Sequence, residues 1–374
     1  MEKAFVYGVS VEGDNFTDRV KESKRLKLNF ENGLNTIIIS PRRLGKTSLV
    51  KKVKNSIDNP EIVVVYMDIY DCRSEYDFYN KLSVSVLKQT SNKMAMLFEN
   101  AKDFMARLSP KISFGTDPET DYSISLGITP KTHNPEEILN LPETIAKKKD
   151  INIVICIDEF QQVGEFPDTL TVQKRIRSVW QHQQNVSYCL FGSKKHMMTN
   201  LFQNKSMPFY QFGELIFLDK IPTEDWIRFI QSRFEIKGKS ISGDLCARIC
   251  ELTNRHSSYV QQLSWNVLAE TSVSATESDL DNAVETMLSQ CNALFVQQIE
   301  GLTSHQMNFM RAIANDIHDK FGGKDVMDSY DFGTKANINR IKNTLISKEL
   351  IEIVDGSLYF ADPIFAIWFK KECL

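Results

Sequence analysis

Four short runs of this chain are apolar almost from end to end: residues 36–39, 63–67, 151–157 and 186–191. A strand with one face in water alternates apolar and polar residues; these do not, so each must be covered on both faces. All four are of strand length and rich in Ile and Val. Segments of helical periodicity separate them, at 46–57, 75–107, 135–149 and 172–184. Strand, helix, strand in repetition is satisfied by a parallel sheet with helices on both faces. The expected fold class is therefore α/β, and the pattern spans residues 1–220. Residues 1–35 read as a lead-in helix ending near Gly33, with Phe16, Val20, Leu26 and Phe30 as its apolar skeleton. A change of texture interrupts the domain. Residues 112–114 and 123–126 alternate with period two around Gly115-Thr116-Asp117-Pro118, which predicts a β-hairpin inserted at about 110–130.

The remainder reads differently. Pro222-Thr223-Glu224-Asp225-Trp226 opens an all-helical region over 221–297, with Thr223 as the expected N-cap and two acids in the first turn. Residues 298–374 form a third unit. Helices at 304–315 and 335–347, with another between them, precede two short strands, 351–354 and 358–360, around Asp355-Gly356-Ser357. Three helices and a hairpin are the outline of a winged helix-turn-helix. Three units suit a chain of 374 residues.

Composition narrows the function classes. With 42% hydrophobic and 25% charged residues, the chain is an ordinary globular protein and not a disordered one. A net charge of -3 excludes a globally basic nucleic-acid binder, though not a local basic face. The longest apolar runs fall far short of the ~20 residues of a spanning helix, and the N-terminus lacks the pattern of a secretory signal, so no membrane association is expected. Seven cysteines, odd in number and without a Cys-x-x-Cys pair, point to a reducing cytoplasm with neither zinc nor a disulfide framework.

Between the first apolar run and the helix after it stands Ser40-Pro41-Arg42-Arg43-Leu44-Gly45-Lys46-Thr47-Ser48. Apart from Ser40 in place of the first glycine, this fits G-x-x-x-x-G-K-[ST]. Backbone N–H groups at a helix N-terminus point at phosphate, and the helix dipole favours an anion there. Gly45 lets the backbone approach closely, Lys46 supplies a charge to the β and γ phosphates, and Thr47 ligates Mg²⁺. The third run ends in Asp158-Glu159. Ligands of parallel sheets sit beyond the carboxyl ends of the strands, which places Asp158 to hold Mg²⁺ and Glu159 to orient and deprotonate an attacking water. The fourth run ends in Gly192-Ser193, making Ser193 a candidate contact to the γ-phosphate or the water. Asp68 closes the second run, near the site or as the cap of a turn.

These residues resemble a family. Phe16-Thr17-Asp18-Arg19, Gly33-Leu34-Asn35, the Ser40–Leu49 run, Asp158-Glu159-Phe160, Phe191-Gly192-Ser193, Pro208-Phe209-Tyr210 and Asp362-Pro363-Ile364-Phe365 with Trp368 together look like the archaeal-type ATPases, P-loop NTPases of the STAND/AAA+ kind. The resemblance covers nearly the whole chain. It implies binding of ATP with Mg²⁺, hydrolysis, a helical lid and a C-terminal winged helix, with Phe16 and Arg19 near the base or ribose. Relatives carry a Gly-x-His-Pro-like turn in the lid, whereas this chain has Asn254-Arg255-His256-Ser257. Such ATPases form rings or act alone. Arg175, Arg177 and Lys205 are the candidates for a cation directed at the γ-phosphate.

In the last unit, residues 335–348 carry Lys335, Arg340, Lys342 and Lys348 and no acid. Ile338, Ile341 and Leu345 share one face, leaving Asn339, Arg340, Lys342 and Asn343 to face outward with the chemistry that reads duplex DNA. Two readings follow. One is an ATPase that drives a conformational switch. The other is a nucleotide-sensing DNA-binding regulator, or a signalling scaffold whose winged helix binds protein, with little or no hydrolysis.

Overall fold

The computed structural model describes residues 3–11, 13–91, 113–115, 123–125 and 134–374. It divides into two compact units, Ser10–Asp219, and Met1–Val9 with Lys220–Leu374.

The first unit contains helices α1 (Val20–Glu31), α2 (Lys46–Asn55), α3 (Glu75–Gln89), α4 (Pro135–Leu139), α5 (Leu141–Lys149), α6 (Thr169–Trp180) and α7 (Lys195–Gln203). Its main sheet is built from β1 (Thr36–Ile39), β2 (Ile62–Asp68), β5 (Asn152–Asp158), β6 (Val186–Gly192) and β7 (Glu214–Phe217), while β3 (Ser113–Gly115) and β4 (Ser123–Ser125) lie apart from it. The five strands are parallel, in the order β2-β5-β6-β1-β7. Successive strand residues point to opposite faces, and both faces are apolar. Ile37, Ile39, Val65, Ile155 and Leu190 pack under Phe78, Leu82 and Trp180. Ile38, Val64, Val154, Cys156 and Phe191 pack against Leu49, Val50 and Val53 of α2 and Leu26 and Phe30 of α1. Each large apolar side chain so buried contributes roughly 1.5–3 kcal/mol, which makes the two-sided cover the main support of the sheet.

Several expectations are adjusted. A fifth strand, β7, completes the edge beside β1. At four residues, with Phe217 46% exposed, it lacks the fully apolar signature of the others. Gly213 permits its approach, since a Cβ there would lie 2.4 Å from the Asn35 carbonyl oxygen. Val20 is 71% exposed and takes no part in the core. The helical segment 135–149 is broken at Asn140, which ends α4 and begins α5, with a proline in the first turn of each helix. β3 and β4 pair antiparallel, as a hairpin requires. Residues 116–122 between them, and the expected helical stretch 92–107, lie outside the described residues.

The second unit contains α8 (Thr223–Ile236), α9 (Gly243–Leu252), α10 (Ser257–Glu270), α11 (Glu277–Glu300), α12 (Ser304–Ala314), α13 (Lys324–Ser329), α14 (Lys335–Ser347), the strands β8 (Ile351–Val354) and β9 (Ser357–Phe360), and α15 (Pro363–Cys373). The N-cap of α8 is Pro222; Thr223 is already helical and makes no capping bond. β8 and β9 pair antiparallel across Asp355 and Gly356, both at positive φ, as a tight hairpin of primed type demands. Asp362 caps α15, accepting from the Ile364 and Phe365 N–H groups, with Pro363 at the first turn. A single buried cluster runs from Ile221 to Phe369 and includes Ala4 and Phe5. Phe5 meets the rings of Phe229 and Phe234 edge-on, and the Val6 N–H donates to Gln261 Oε1 at 2.9 Å. Among the described residues, no helix is long and apolar enough to cross a membrane.

Candidate functional site

The site is built where β1 passes into α2. Gly45 occupies the N-cap position of α2 at φ 89°, and Arg43 also takes a left-handed conformation. The positive φ at Gly45 requires a residue without a Cβ penalty. Ser40, at the place of the missing first glycine, is buried and has no positive φ; its hydroxyl donates to the Pro41 carbonyl at 3.0 Å. Lys46 is buried too. Its Nζ donates to the carbonyl oxygens of Pro41 (2.7 Å) and Ser40 (3.2 Å) and to Ser40 Oγ (3.2 Å). Burial pushes the ammonium down to about 8, against the pull of Asp158 and Glu159. A buried cation held by its own loop's oxygens is primed to exchange those weak acceptors for an anion.

Neighbours brace the loop. Arg19, itself buried, donates through Nη2 to the Leu44 carbonyl at 3.3 Å and pairs with Glu22 at 3.1 Å. Ser48 Oγ accepts the Val11 N–H at 2.8 Å, and Lys51 Nζ donates to Ser10 Oγ at 2.9 Å, so residues 10–11 are laced to α2. Phe16 is half-buried with Lys52 Nζ 4.0 Å above its ring. The structure thus gives Arg19 and Ser48 bracing contacts within the chain.

The second half comes from the ends of β5 and β6. Register pairs Ile39 with Gly192 and Ile157 with Leu190, bringing the carboxyl ends of β1, β5 and β6 to one edge. Asp158 Oδ2 accepts from Thr47 Oγ1 at 2.7 Å and from the Tyr66 hydroxyl at 3.0 Å, while Oδ1 accepts the Glu159 N–H at 2.9 Å. Burial raises the Asp158 carboxyl above its ordinary range, and the Thr47 and Tyr66 bonds oppose the shift. The Tyr66 phenol is itself pushed up, first by burial and then by Asp158. Glu159 leaves the strand at φ 56°, a left-handed conformation rare for a non-glycine residue. Its Oε2 accepts from Ser193 Oγ at 2.8 Å and from the Gln161 amide. Arg42 Nε donates in turn to Ser193 Oγ at 3.2 Å, tying the loop to the tip of β6.

Of the residues expected from sequence, the structure therefore brings together Arg42, Lys46, Thr47, Asp158, Glu159 and Ser193. Asp68 lies outside this network: its Oδ1 accepts the Tyr70 N–H at 2.8 Å and caps the following turn. Arg175 is paired with Glu75 at 2.5 Å, and the Arg177 guanidinium lies 4.9 Å over the Phe212 ring. Lys205 is exposed. Arg255 and His256 belong to the second unit, at the turn into α10. There Asn339, Arg340 and Asn343 are exposed on α14, Lys342 is half-buried, and Ile341 and Leu345 face the core.

Three participants were missed by sequence reasoning. Tyr66 sits in an apolar strand and looks like core. Gln161 follows the acid pair by two positions, a spacing with no general meaning. Gly192 looks like turn punctuation, yet a Cβ there would stand 1.7 Å from Gln161 Oε1.

The sequence matches the family described as an ATPase domain predominantly from Archaea over residues 16–244. No curated protein matches the chain by sequence. Among solved structures, the fold is similar to the Walker-type ATPase PABY2304 of Pyrococcus abyssi, with TM-score 0.70 at 15% identity, covering 98% of this chain and 100% of that one. It is also similar to the Aeropyrum pernix ORC2 protein in its ADPNP-ADP complexes, with TM-score 0.57 at 15% identity over 95% and 93% of the two chains. For the Aeropyrum pernix ORC1 protein in complex with DNA the values are 0.50 and 12%, over 96% and 94%. With the family match spanning more than half of its length, this chain belongs to the archaeal ATPase family of P-loop proteins.

Proposed function

We propose that the protein binds ATP with Mg²⁺ on the Lys46 loop and hydrolyses it to drive a conformational switch. The observation that carries this reading is the meeting of the two halves: Thr47 Oγ1 touches Asp158 Oδ2 while Glu159 is held by Ser193. A hydroxyl and a carboxylate in contact are a hard-oxygen pair that suits Mg²⁺, whose other ligands are substrate phosphates and water. When bound, the ion neutralises charge on the β and γ oxygens. Pro41, Arg42, Arg43, Leu44, Gly45 and Ser48 shape the phosphate cradle around Lys46. Glu159 takes a proton from water as the water oxygen bonds to the γ-phosphorus and the bond to the β-phosphate oxygen breaks, leaving ADP and phosphate. Ser193 orients Glu159, and Arg42 on the same hydroxyl couples that orientation to the loop. Phe16 and Arg19 flank the base or ribose. The ADPNP-ADP complexes of the ORC2 neighbour support nucleotide binding by a chain of this fold.

On this reading residues 221–297 act as a helical lid and 298–374 as a winged helix that engages a partner. Exposed Asn339, Arg340 and Asn343 suit duplex DNA, as does the ORC1 neighbour. The β8–β9 hairpin favours protein instead: Ile353, Val354 and Tyr359 are 49%, 41% and 40% exposed. Its charges, Glu352 and Asp355, are both acidic and would repel a phosphate backbone.

Glu159→Gln tests the catalytic assignment. Phosphate release is expected to cease while ATP affinity is retained; unchanged turnover would refute it.

A further inference from the structure

Asp158 is held by three donors, and they differ in what else they must do. Its Oδ2 accepts from Thr47 Oγ1 at 2.7 Å and from the Tyr66 hydroxyl at 3.0 Å, and its Oδ1 accepts the Glu159 N–H at 2.9 Å. An ionised carboxylate has about four acceptor positions, and these donors take three of them. The direction in which the carboxylate can meet an ion is therefore set by its donors. Thr47 belongs to the helix that follows the phosphate loop and, on the reading above, shares its hydroxyl with Mg²⁺. The Glu159 N–H belongs to the residue that carries the base, in a left-handed conformation. Tyr66 has neither duty.

Tyr66 is anchored independently of both. It lies on β2, which ends the strand order of the main sheet, and its outward main-chain groups are met by one side chain. Gln89 Oε1 accepts the Tyr66 N–H and Gln89 Nε2 donates to the Tyr66 carbonyl, both at 3.0 Å, so the amide stands in for a further strand. Lys54 Nζ donates to the same Oε1 at 2.8 Å, which fixes the end of the amide that faces the N–H. The Tyr66 ring has Lys51 Nζ 5.6 Å above it and the Phe191 ring 6.4 Å away. Register sets Tyr66 opposite Cys156, two positions short of Asp158. That offset is about 6.6 Å along the strand, which a phenol spans and an aliphatic side chain does not. Phenylalanine would serve packing equally; what the hydroxyl adds is the bond to Asp158. We propose that Tyr66 is a positioning residue for Mg²⁺: its hydroxyl holds the Asp158 carboxylate in the orientation that receives the ion while the phosphate loop rearranges around nucleotide. The proposal rests on the ATP and Mg²⁺ reading above and adds to it the residue that makes the place of Asp158 independent of the loop.

Calorimetry on the full chain with ADPNP, in EDTA and then in Mg²⁺, tests it through binding alone. The ratio of the two affinities is the gain that the ion gives. Tyr66→Phe keeps the ring and removes the hydroxyl, so its affinity in EDTA is expected to match that of the wild type. Its Mg²⁺ gain is expected to fall about tenfold, as for the loss of one hydrogen bond to a charged acceptor. In phosphate release the Mg²⁺ concentration for half activation should rise by a similar factor, and excess Mg²⁺ should restore most of the lost rate. A Mg²⁺ gain in Tyr66→Phe equal to that of the wild type would overturn the proposal. So would an equal fall in both affinities, the mark of a packing role alone. Failure of the parent reading shows itself in the wild type instead, as no binding of ADPNP or the same affinity with and without Mg²⁺, and takes this proposal with it.

Discussion

Gly192→Ala probes how the candidate base is held. Gly192 ends β6 with a φ outside the left-handed region, so alanine is allowed by the backbone there. The obstacle is local. The new Cβ would lie 1.7 Å from Gln161 Oε1 and 2.9 Å from its Cδ, with Met198 Sδ at 3.2 Å. The atoms that must yield are the far end of a flexible side chain, so the substitution should expel the Gln161 amide and leave the strand in place. What is then lost is the donation from Gln161 Nε2 to Glu159 Oε2, leaving Ser193 as the remaining side-chain donor to that oxygen. A hydrogen bond to a charged acceptor is worth about 1.5–3 kcal/mol, which corresponds to roughly 10- to 100-fold in rate if the bond keeps Glu159 aimed in the transition state. Steady-state phosphate release should therefore show kcat lowered by that factor in Gly192→Ala and in Gln161→Ala alike, with KM for ATP little changed. The double variant should be no worse than either single one, because both remove the same contact. Wild-type turnover in Gly192→Ala, or a double variant whose loss is the product of the two, would refute the reasoning.

Three other outcomes follow from the geometry. Lys46→Ala should abolish ATP binding measured by calorimetry while leaving the thermal transition near that of the wild type, since its bonds reach only Ser40 and Pro41. Trp180→Ala should lower stability by about 3–5 kcal/mol in urea unfolding; the indole stacks on Tyr188 at 3.7 Å and meets Phe78, Phe160, Phe209 and Phe212, and a loss below about 1 kcal/mol would mean that this core is not as described. None of the seven cysteines is in a disulfide, and burial pushes the Cys72, Cys246 and Cys250 thiols up to about 12. At pH 8 only about one in ten thousand of such groups is thiolate, so maleimide should label the half-buried Cys291 and Cys373 first. Rapid modification of Cys246 in the native protein, read by mass spectrometry, would contradict that order.

Much of the first unit was legible because its strands are buried on both faces and so announce themselves as unbroken apolar runs. The edge strand β7 was hidden for the opposite reason: half of its surroundings are solvent, and its partner is set by a glycine's approach to Asn35. The hairpin turn at Asp355-Gly356 was readable because positive φ at two successive positions selects those residues. The start of α8 was misplaced by one residue, since a Thr before acids looks like a cap even where Pro222 holds that position.

The chain's own order of residues determined the phosphate loop and the acid pair, because a helix N-terminus, a lysine beside it and carboxylates at a strand end are local features with local causes. Only the tertiary structure decided that Asp158 would meet Thr47 and Tyr66, that Glu159 would lie under Ser193 and Gln161, and that Gly192 would make room for that glutamine. Apart from Gln161, which stands two positions beyond Glu159, those contacts join residues 31 to 111 positions apart. Their geometry comes from sheet order and register, which no spacing along the chain encodes.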